Sequence, residues 1–398
     1  MAPTVQPPLF SFISDQSLAL LLPIVVYWTY SLLFHWISLQ EFPWFEKYRI
    51  HTKEEETRNR VELPDVIKAV VTQQLLQTAL GFLAVLADDS EMTFDDELAL
   101  AGYETRVIQL LSFFGLQKIV SLSAVAIIAH VCYYYLESVA RFTVAMAILD
   151  TWQYFLHRLF HAVPILYRHF HSRHHRLYVT YAFGALYNHP FEGFLMDSVG
   201  AGLAFLISGM GNRGALAFFS FSTLKTLDDH CGYNLPFNPL QLIFSNNADY
   251  HDIHHQHFGI KSNYSQPFGT TWDRILGTHM SREEANEIIR KRNERRAAQV
   301  ASVAAGSIMS IATTSSSKAP HAHHKDQDVL SGGNNGGNDC HEESEHKAYA
   351  FRLHERRPGN LERHSTGSCL VDREGMLTRS RSRLDSDLIS REGLGKAL

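Results

Sequence analysis

Twelve of the chain's 23 histidines fall between residues 157 and 257, and most recur at metal-ligand spacings. One group is His157-Arg-Leu-Phe-His161. A second is His171-Ser-Arg-His174-His175, and a third is His251-Asp-Ile-His254-His255. His189 and His230 stand singly between them. Residues three and four apart share a helix face. On that rule the first group aims two imidazoles at one point, and each of the others aims three. A four-coordinate zinc needs only four donors. Ten donors predict two metals held almost entirely by nitrogen.

The rest of the chain predicts where such a site lies. Residues 16–40 contain no Asp, Glu, Lys or Arg and are long enough to cross a bilayer. They lack the basic start and cleavage site of a signal peptide, which predicts a retained membrane helix. Residues 67–87 form a second candidate, weakened by Gln73, Gln74 and Gln77, with a re-entrant or interfacial helix as the alternative. Residues 119–136 predict a span, and 139–156 form another apolar run leading into His157. Two short apolar stretches, 194–210 and 215–227, predict a hairpin dipping into the bilayer, with Asp197 arguing against full lipid exposure. Residues 283–300 read as a basic helix (Arg290, Lys291, Arg292, Arg295, Arg296), suited to the anionic cytosolic leaflet. Beyond them the chain turns rich in Ser, Gly, Asn and charge, which predicts disorder.

The expected fold is therefore an all-α integral membrane protein. Its transmembrane helices carry a cytosolic-facing helical cap with a histidine-rich di-metal site, and a disordered C-terminal tail follows. The expected divisions are an N-terminal anchoring region over 1–118, a catalytic domain over 119–282, the basic helix over 283–300 and the tail over 301–398. The net charge of −5 does not suggest a nucleic-acid partner. The four cysteines contain no C-x-x-C pair, so no disulfide framework is expected.

Imidazole suits iron, zinc and copper. The Glu plus Glu-x-x-His pattern of bundle di-iron proteins is absent. A nitrogen-rich shell beside membrane helices points instead to oxygen activation on a lipid chain. No side chain breaks an unactivated C–H bond, so the metal must supply that chemistry. Asp150, Glu192, Asp228, Asp229, Asp249 and Asp252 are candidates to orient imidazoles through their second nitrogen, with Asp229 and Asp252 preferred. Ala182, Phe183, Leu186, Tyr187 and Phe191 are candidate substrate-binding residues, with ordinary packing as the competing account.

Further residues around these groups carry a resemblance. They include Asp150-Thr-Trp-Gln-Tyr-Phe-Leu-His157-Arg, Tyr181-Ala-Phe-Gly-Ala-Leu-Tyr-Asn-His189-Pro-Phe-Glu-Gly-Phe, Lys225-Thr-Leu-Asp-Asp-His230-Cys-Gly-Tyr and Asn246-Asn-Ala-Asp-Tyr-His251-Asp-Ile-His-His-Gln-His-Phe-Gly-Ile-Lys. The stretch 134–278 resembles the integral-membrane fatty acid hydroxylase superfamily, and within it the fungal and plant sphingolipid C4-hydroxylases. The resemblance implies oxygen-dependent hydroxylation of carbon 4 of sphinganine or dihydroceramide, in the endoplasmic reticulum membrane. It implies two irons on His157, His161, His171, His174, His175, His230, His251, His254 and His255, with His189 a tenth ligand. Electrons would come from NAD(P)H through cytochrome b5 and its reductase. The haem-binding His-Pro-Gly-Gly of a fused cytochrome b5 domain does not occur here, so the donor is expected to be separate. Homo-oligomers, or assemblies with other sphingolipid enzymes, are compatible with this picture. The alternatives are a sterol C4-methyl oxidase or C5-desaturase of the same superfamily, or a non-catalytic membrane scaffold holding zinc.

Overall fold

The computed structural model describes residues 4–5, 7–87, 93–94 and 96–316. They are almost entirely helical. The named strands are two residues each and pair Thr4–Val5 with Thr93–Phe94.

The first helix, α1 (Asp15–Gln40), starts where Ser14 Oγ accepts the Ser17 N–H at 3.1 Å. This bond satisfies one of the free donors of the first turn. The helix ends at Glu41, whose left-handed backbone (φ 50°) stops it. Helix α2 (Leu63–Ala87) packs beside it. Helix α3 spans Asp96–Phe113. Helix α4 (Leu122–Ala162) is a single 41-residue rod with one π turn at Cys132–Leu136. The two apolar runs expected on either side of residue 137 are thus one element. At 1.5 Å per residue the rod is about 60 Å long, roughly twice a bilayer's hydrocarbon core. A helix of this length carries its last turns, with His157 and His161, well past an apolar segment that begins at its other end.

Helices α5 (Pro190–Ser208) and α6 (Asn212–Asp229) cover the two stretches expected to form a hairpin, but α5 packs mainly on α4 and α6 on α1, so they are not a self-packed hairpin. Pro190 opens α5, where its missing N–H costs nothing. Helix α7 (Ala248–His255) is capped by Asn247, which accepts the Tyr250 N–H at 3.0 Å. Helix α8 (Arg282–Ser316) contains the expected basic segment and continues beyond its predicted end at residue 300. The rest of the expected disordered tail, 317–398, lies outside the described residues.

Four helices are long and apolar enough to cross a membrane: α1, α2, α4 and α5. Their surfaces bear this out. Leu75, Leu83, Leu86, Ile127 and Leu206 are exposed, whereas Ser31, Gln73, Gln74 and Gln153 are buried. Polar groups inside and apolar groups outside is the arrangement a lipid solvent favours. The glutamines of α2, which weakened it as a sequence-level span, are among those facing inward.

The cores tie the helices to the site. Tyr27 and Val66 pack with Leu177, Phe183, Tyr187 and Leu227. Ala145 and Leu149 of α4 pack with Ala204, Phe218 and Phe268. Tyr27 Oη donates to the Phe183 carbonyl at 2.8 Å, and Tyr30 Oη to Asp228 at 2.7 Å. The region expected to be an N-terminal anchor therefore builds one compact unit with the histidine-bearing helices.

Candidate metal centre

Nine imidazoles converge from four segments into two abutting clusters. His157 and His161 sit on the last turns of α4. His171, His174 and His175 lie on a short 3-10 helix, His171–Arg176. His230 follows the end of α6, and His251, His254 and His255 belong to α7. One cluster is His157, His161, His171, His175 and His254; the other is His174, His230, His251 and His255. Within each, the ligand-type atoms lie within 4.8 Å of one another. The rings of His175 and His255, one from each cluster, have centroids 5.0 Å apart.

This partition corrects the expectation that each three-histidine group aims at one point. The histidines at i and i+4 stay together, whereas the one at i+3 crosses to the other cluster. The second group makes this partition from a 3-10 turn and the third from an α-helix, where the adjacent His254 and His255 point about 100° apart.

Main-chain carbonyls set the ring orientations. Nδ1 of His157 donates to Tyr264 O at 2.8 Å, of His230 to Thr226 O at 2.9 Å, of His254 to Ser262 O at 2.7 Å and of His255 to Leu177 O at 2.8 Å. His171 Nδ1 instead donates to the Glu192 carboxylate. The loop supplying the Tyr264 carbonyl is held by buried Asp273, which accepts the N–H groups of Tyr264 at 3.1 Å and Ser265 at 2.6 Å. Gly259, just beyond α7, lets the chain pass against the Ile253 carbonyl, where a side chain would collide.

A ring whose Nδ1 carries the proton presents a bare lone pair at Nε2. His157 and His171, whose Nδ1 atoms both donate, turn such lone pairs toward each other. His171 Nε2 lies 3.0 Å from Nε2 of both His157 and His175, and His175 Nε2 lies 3.2 Å from that of His161. In the other cluster, His251 Nε2 lies 3.1 Å from His230 and 3.2 Å from His255. His254 Nε2 is buried without a hydrogen-bond partner. Two acceptors cannot bond each other, so the arrangement lacks a cation between them. Ligands about 2.1 Å from a metal stand roughly 3.0–3.4 Å apart, so the residues fit a metal pair. Burial, reinforced by neighbouring imidazoles, holds His171, His174, His175, His251 and His255 well below the usual imidazole range. Burial also pulls His230 down to about 4. Neutral rings are the metal-binding form.

The remaining sequence candidates stand elsewhere. His189 lies outside both clusters, and its Nδ1 accepts the Phe191 N–H at 3.2 Å, so it caps α5. His169 and His257 are exposed and outside. Asp229 touches no imidazole; it pairs with buried Lys225 and accepts from Asn246 at 3.2 Å. Asp252 does orient a ring, but that of His51, 2.8 Å away. Asp150 accepts the N–H groups of Phe268 and Gly269, Asp228 accepts from Tyr30, and Asp249 pairs with Arg282. Of the carboxylates considered, Glu192 is the one against a cluster.

Two cavities lie near the clusters. One, about 460 Å³, lies among α1, α2, α4, α5 and α6 and is mostly apolar. Gln153 and Thr226 line it, each four residues before a cluster histidine. The other, about 670 Å³, contains His175 and His255 in its wall and is rimmed by Arg58, Arg60 and Arg176. Of the five pocket candidates only Leu186 lines the apolar cavity. Ala182 and Phe183 line a separate cavity of about 320 Å³, Tyr187 edges another of about 700 Å³, and Phe191 is exposed beside Phe170. Aromatic composition alone could not say which cavity a residue lines.

Comparison with known proteins agrees with this architecture. The fatty acid hydroxylase family matches residues 142–278. Sphingolipid C4-hydroxylase sur2 of Schizosaccharomyces pombe is 41% identical over 71% of this chain and 95% of its own length. Sphinganine C4-monooxygenase 1 of Arabidopsis thaliana is 44% identical over 67% of this chain and 89% of its own. A rice protein named very-long-chain aldehyde decarbonylase GL1-9 is 44% identical over 69% and 92%. No solved structure matches. Helices, histidine clusters and relatives together place the chain in the fatty acid hydroxylase family.

Proposed function

We propose that this protein is a membrane di-iron monooxygenase that hydroxylates carbon 4 of a sphinganine-type base in sphingolipid biosynthesis. The carrying observation is the pair of abutting imidazole clusters beside an apolar cavity between membrane helices, whose wall residues Gln153 and Thr226 lie one turn before His157 and His230. The relatives named for C4 hydroxylation narrow the substrate.

His157, His161, His171, His175 and His254 hold one iron, and His174, His230, His251 and His255 the other. Bound there, the metals supply the oxidising power toward oxygen that side chains lack. The carbonyls of Tyr264, Ser262, Leu177 and Thr226 and the carboxylate of Glu192 keep the donor rings aimed, which raises their basicity and fixes their tautomer. The apolar cavity takes the lipid chain and excludes water. Depth of insertion selects the carbon, because proximity decides which bond reacts. The Arg-rimmed opening at His175 and His255 suits an acidic electron donor, here cytochrome b5 with its NAD(P)H reductase. The basic α8 favours the cytosolic leaflet of the endoplasmic reticulum for that face.

Membranes from cells making the protein, given sphinganine, oxygen and NADPH, are expected to form phytosphingosine. An abundant, iron-loaded protein that leaves sphinganine untouched overturns the reading. The rice relative favours one rival, chain-shortening of a long-chain aldehyde. Lipid profiles of a deletion strain separate the possibilities: unhydroxylated sphingolipid supports the proposal, whereas accumulated aldehyde or sterol intermediate does not.

A further inference from the structure

The apolar cavity has a polar inner end. Gln74, Gln77, Gln153, Asp197 and Ser198 line it, and Gln74 and Gln153 are more than nine-tenths buried. Two of the cavity's lining residues connect it to the metal clusters. Gln153 is one helical turn before His157, and Thr226, also in the wall, gives its carbonyl to His230.

Asp197 is the one carboxylate there. Its hydrogen bonds from Gln73 and Gln153 Nε2 are both stretched to 3.5 Å, the weak limit of such bonds. Among the described residues no Lys or Arg pairs with it. Buried Gln73 Oε1 beside it has no partner. An ionisable side chain within a membrane span is costly and marks a functional contact whose partner should be named. A neighbouring polar pair of the same helices, Glu192 and His171, is already matched. Asp197 is not.

The partner follows from chemistry, on the proposed function. In a sphingoid base the amine stands three bonds from carbon 4, and bonds of this kind are about 1.5 Å each. A substrate that presents carbon 4 to the clusters therefore brings its amine to within about 4–5 Å of the reacting carbon. The head group cannot stay in water outside the cavity. A buried ammonium without a counter-charge is prohibitively costly. The polar end supplies one counter-charge with glutamine amides around it.

We propose that Asp197 receives the protonated amino group of a free long-chain base, with Gln153 and Gln74 on its hydroxyls, so that the free base is preferred over its N-acylated form. Asp197 is a recognition residue; it anchors the head and thereby sets which carbon reaches the clusters. Gln73 and Gln77 position it, and Gly193 lets α5 press onto Gln73, where a side chain would collide.

The test is equilibrium binding of sphinganine and of N-acetylsphinganine to full-length protein in lipid nanodiscs, for the wild type and for Asp197→Asn and Asp197→Glu, with hydroxylation measured alongside. The wild type is expected to bind the amine about tenfold or more tightly than the amide, the effect of one hydrogen bond to a charged group. Asp197→Asn is expected to erase that preference and raise KM for sphinganine about as much. Asp197→Glu is expected to restore much of it. Equal wild-type affinity for amine and amide overturns the inference, as does a preference that survives Asp197→Asn. A kcat loss equal for both lipids marks a structural role and overturns it too. If Asp197→Asn does not accumulate, the wild-type comparison and Asp197→Glu decide. Selective amine binding without hydroxylated product would sink the proposed function and leave this inference standing; hydroxylation with preference intact in Asp197→Asn would do the reverse.

Discussion

The two imidazole clusters are built from the same boxes but on different mounts. The five-histidine cluster hangs from the end of the long α4 rod, and two of its members, His161 and His175, are partly exposed. A carboxylate, Glu192, orients one of its rings. The four-histidine cluster is wholly buried and takes its orientation from main-chain carbonyls. Each three-histidine box sends its i+3 member across, so each of these boxes contributes to both clusters. The lesson is that the boxes work as cross-braces: one short segment supplies donors to both metals and fixes their relative position.

The largest effect that tests this contrast comes from His174→Ala. It removes one of only four donors in the buried cluster and is expected to abolish hydroxylation. Iron analysis should show loss centred on one of two equivalents, with membrane insertion unchanged, because His174 lies outside the spans. Loss of both irons together would mean that the cross-bracing dominates and that the clusters are not separable.

Next comes Asp229→Asn. The sequence reading assigned Asp229 to an imidazole, which would make metal retention the main casualty. In the structure its carboxylate compensates Lys225, which is fully buried on α6. Removing one partner strands the other charge, at a cost of about 3–5 kcal/mol. Thermal stability and yield are therefore expected to fall whether or not iron is bound. Lys225→Met in the same chain should recover part of the loss. A variant of normal stability that loses iron would restore the original reading.

These two cases show how far the sequence reached. Spacing singled out eight of the nine clustered histidines, because metal ligands are a rare residue type on repeated offsets; His230, which stands alone, came only with the resemblance. The sequence could not give the partition, since a repeated spacing does not say which cluster each ring of a box faces. It could not identify the orienting groups either: a carbonyl such as Tyr264 O belongs to any residue, and Glu192 was one acidic residue among several. The membrane helices were legible as apolar runs. Yet Gln73, Gln74 and Gln77 read as defects in a span because their inward face depends on which helices surround α2. The joining of 119–136 to 139–156 was hidden by Glu137 and Arg141, which satisfy each other one turn apart along α4.

Glu192→Gln addresses the five-histidine cluster alone. The amide still accepts the His171 N–H but carries no charge, so the ring is a weaker donor. Changes of this kind cost about ten- to a hundredfold in metal affinity. Competition with a chelator should show faster loss from one site and leave the other at the wild-type rate. Equal loss from both would mean that Glu192 supports the fold of α5 and not a single ring.

The smallest effect is expected at His189, which the resemblance made a tenth ligand. Its ring is part-exposed and its Nδ1 is engaged by the Phe191 N–H at the start of α5. His189→Ala removes a helix cap, worth about 1 kcal/mol or less. Iron content and kcat should stay near wild type, while the melting temperature drops slightly. His189→Asn, which can cap in its place, should recover the drop. A loss of one iron equivalent in both variants would place the ring on a metal after all, in a conformation that swings it from the helix end into one of the clusters.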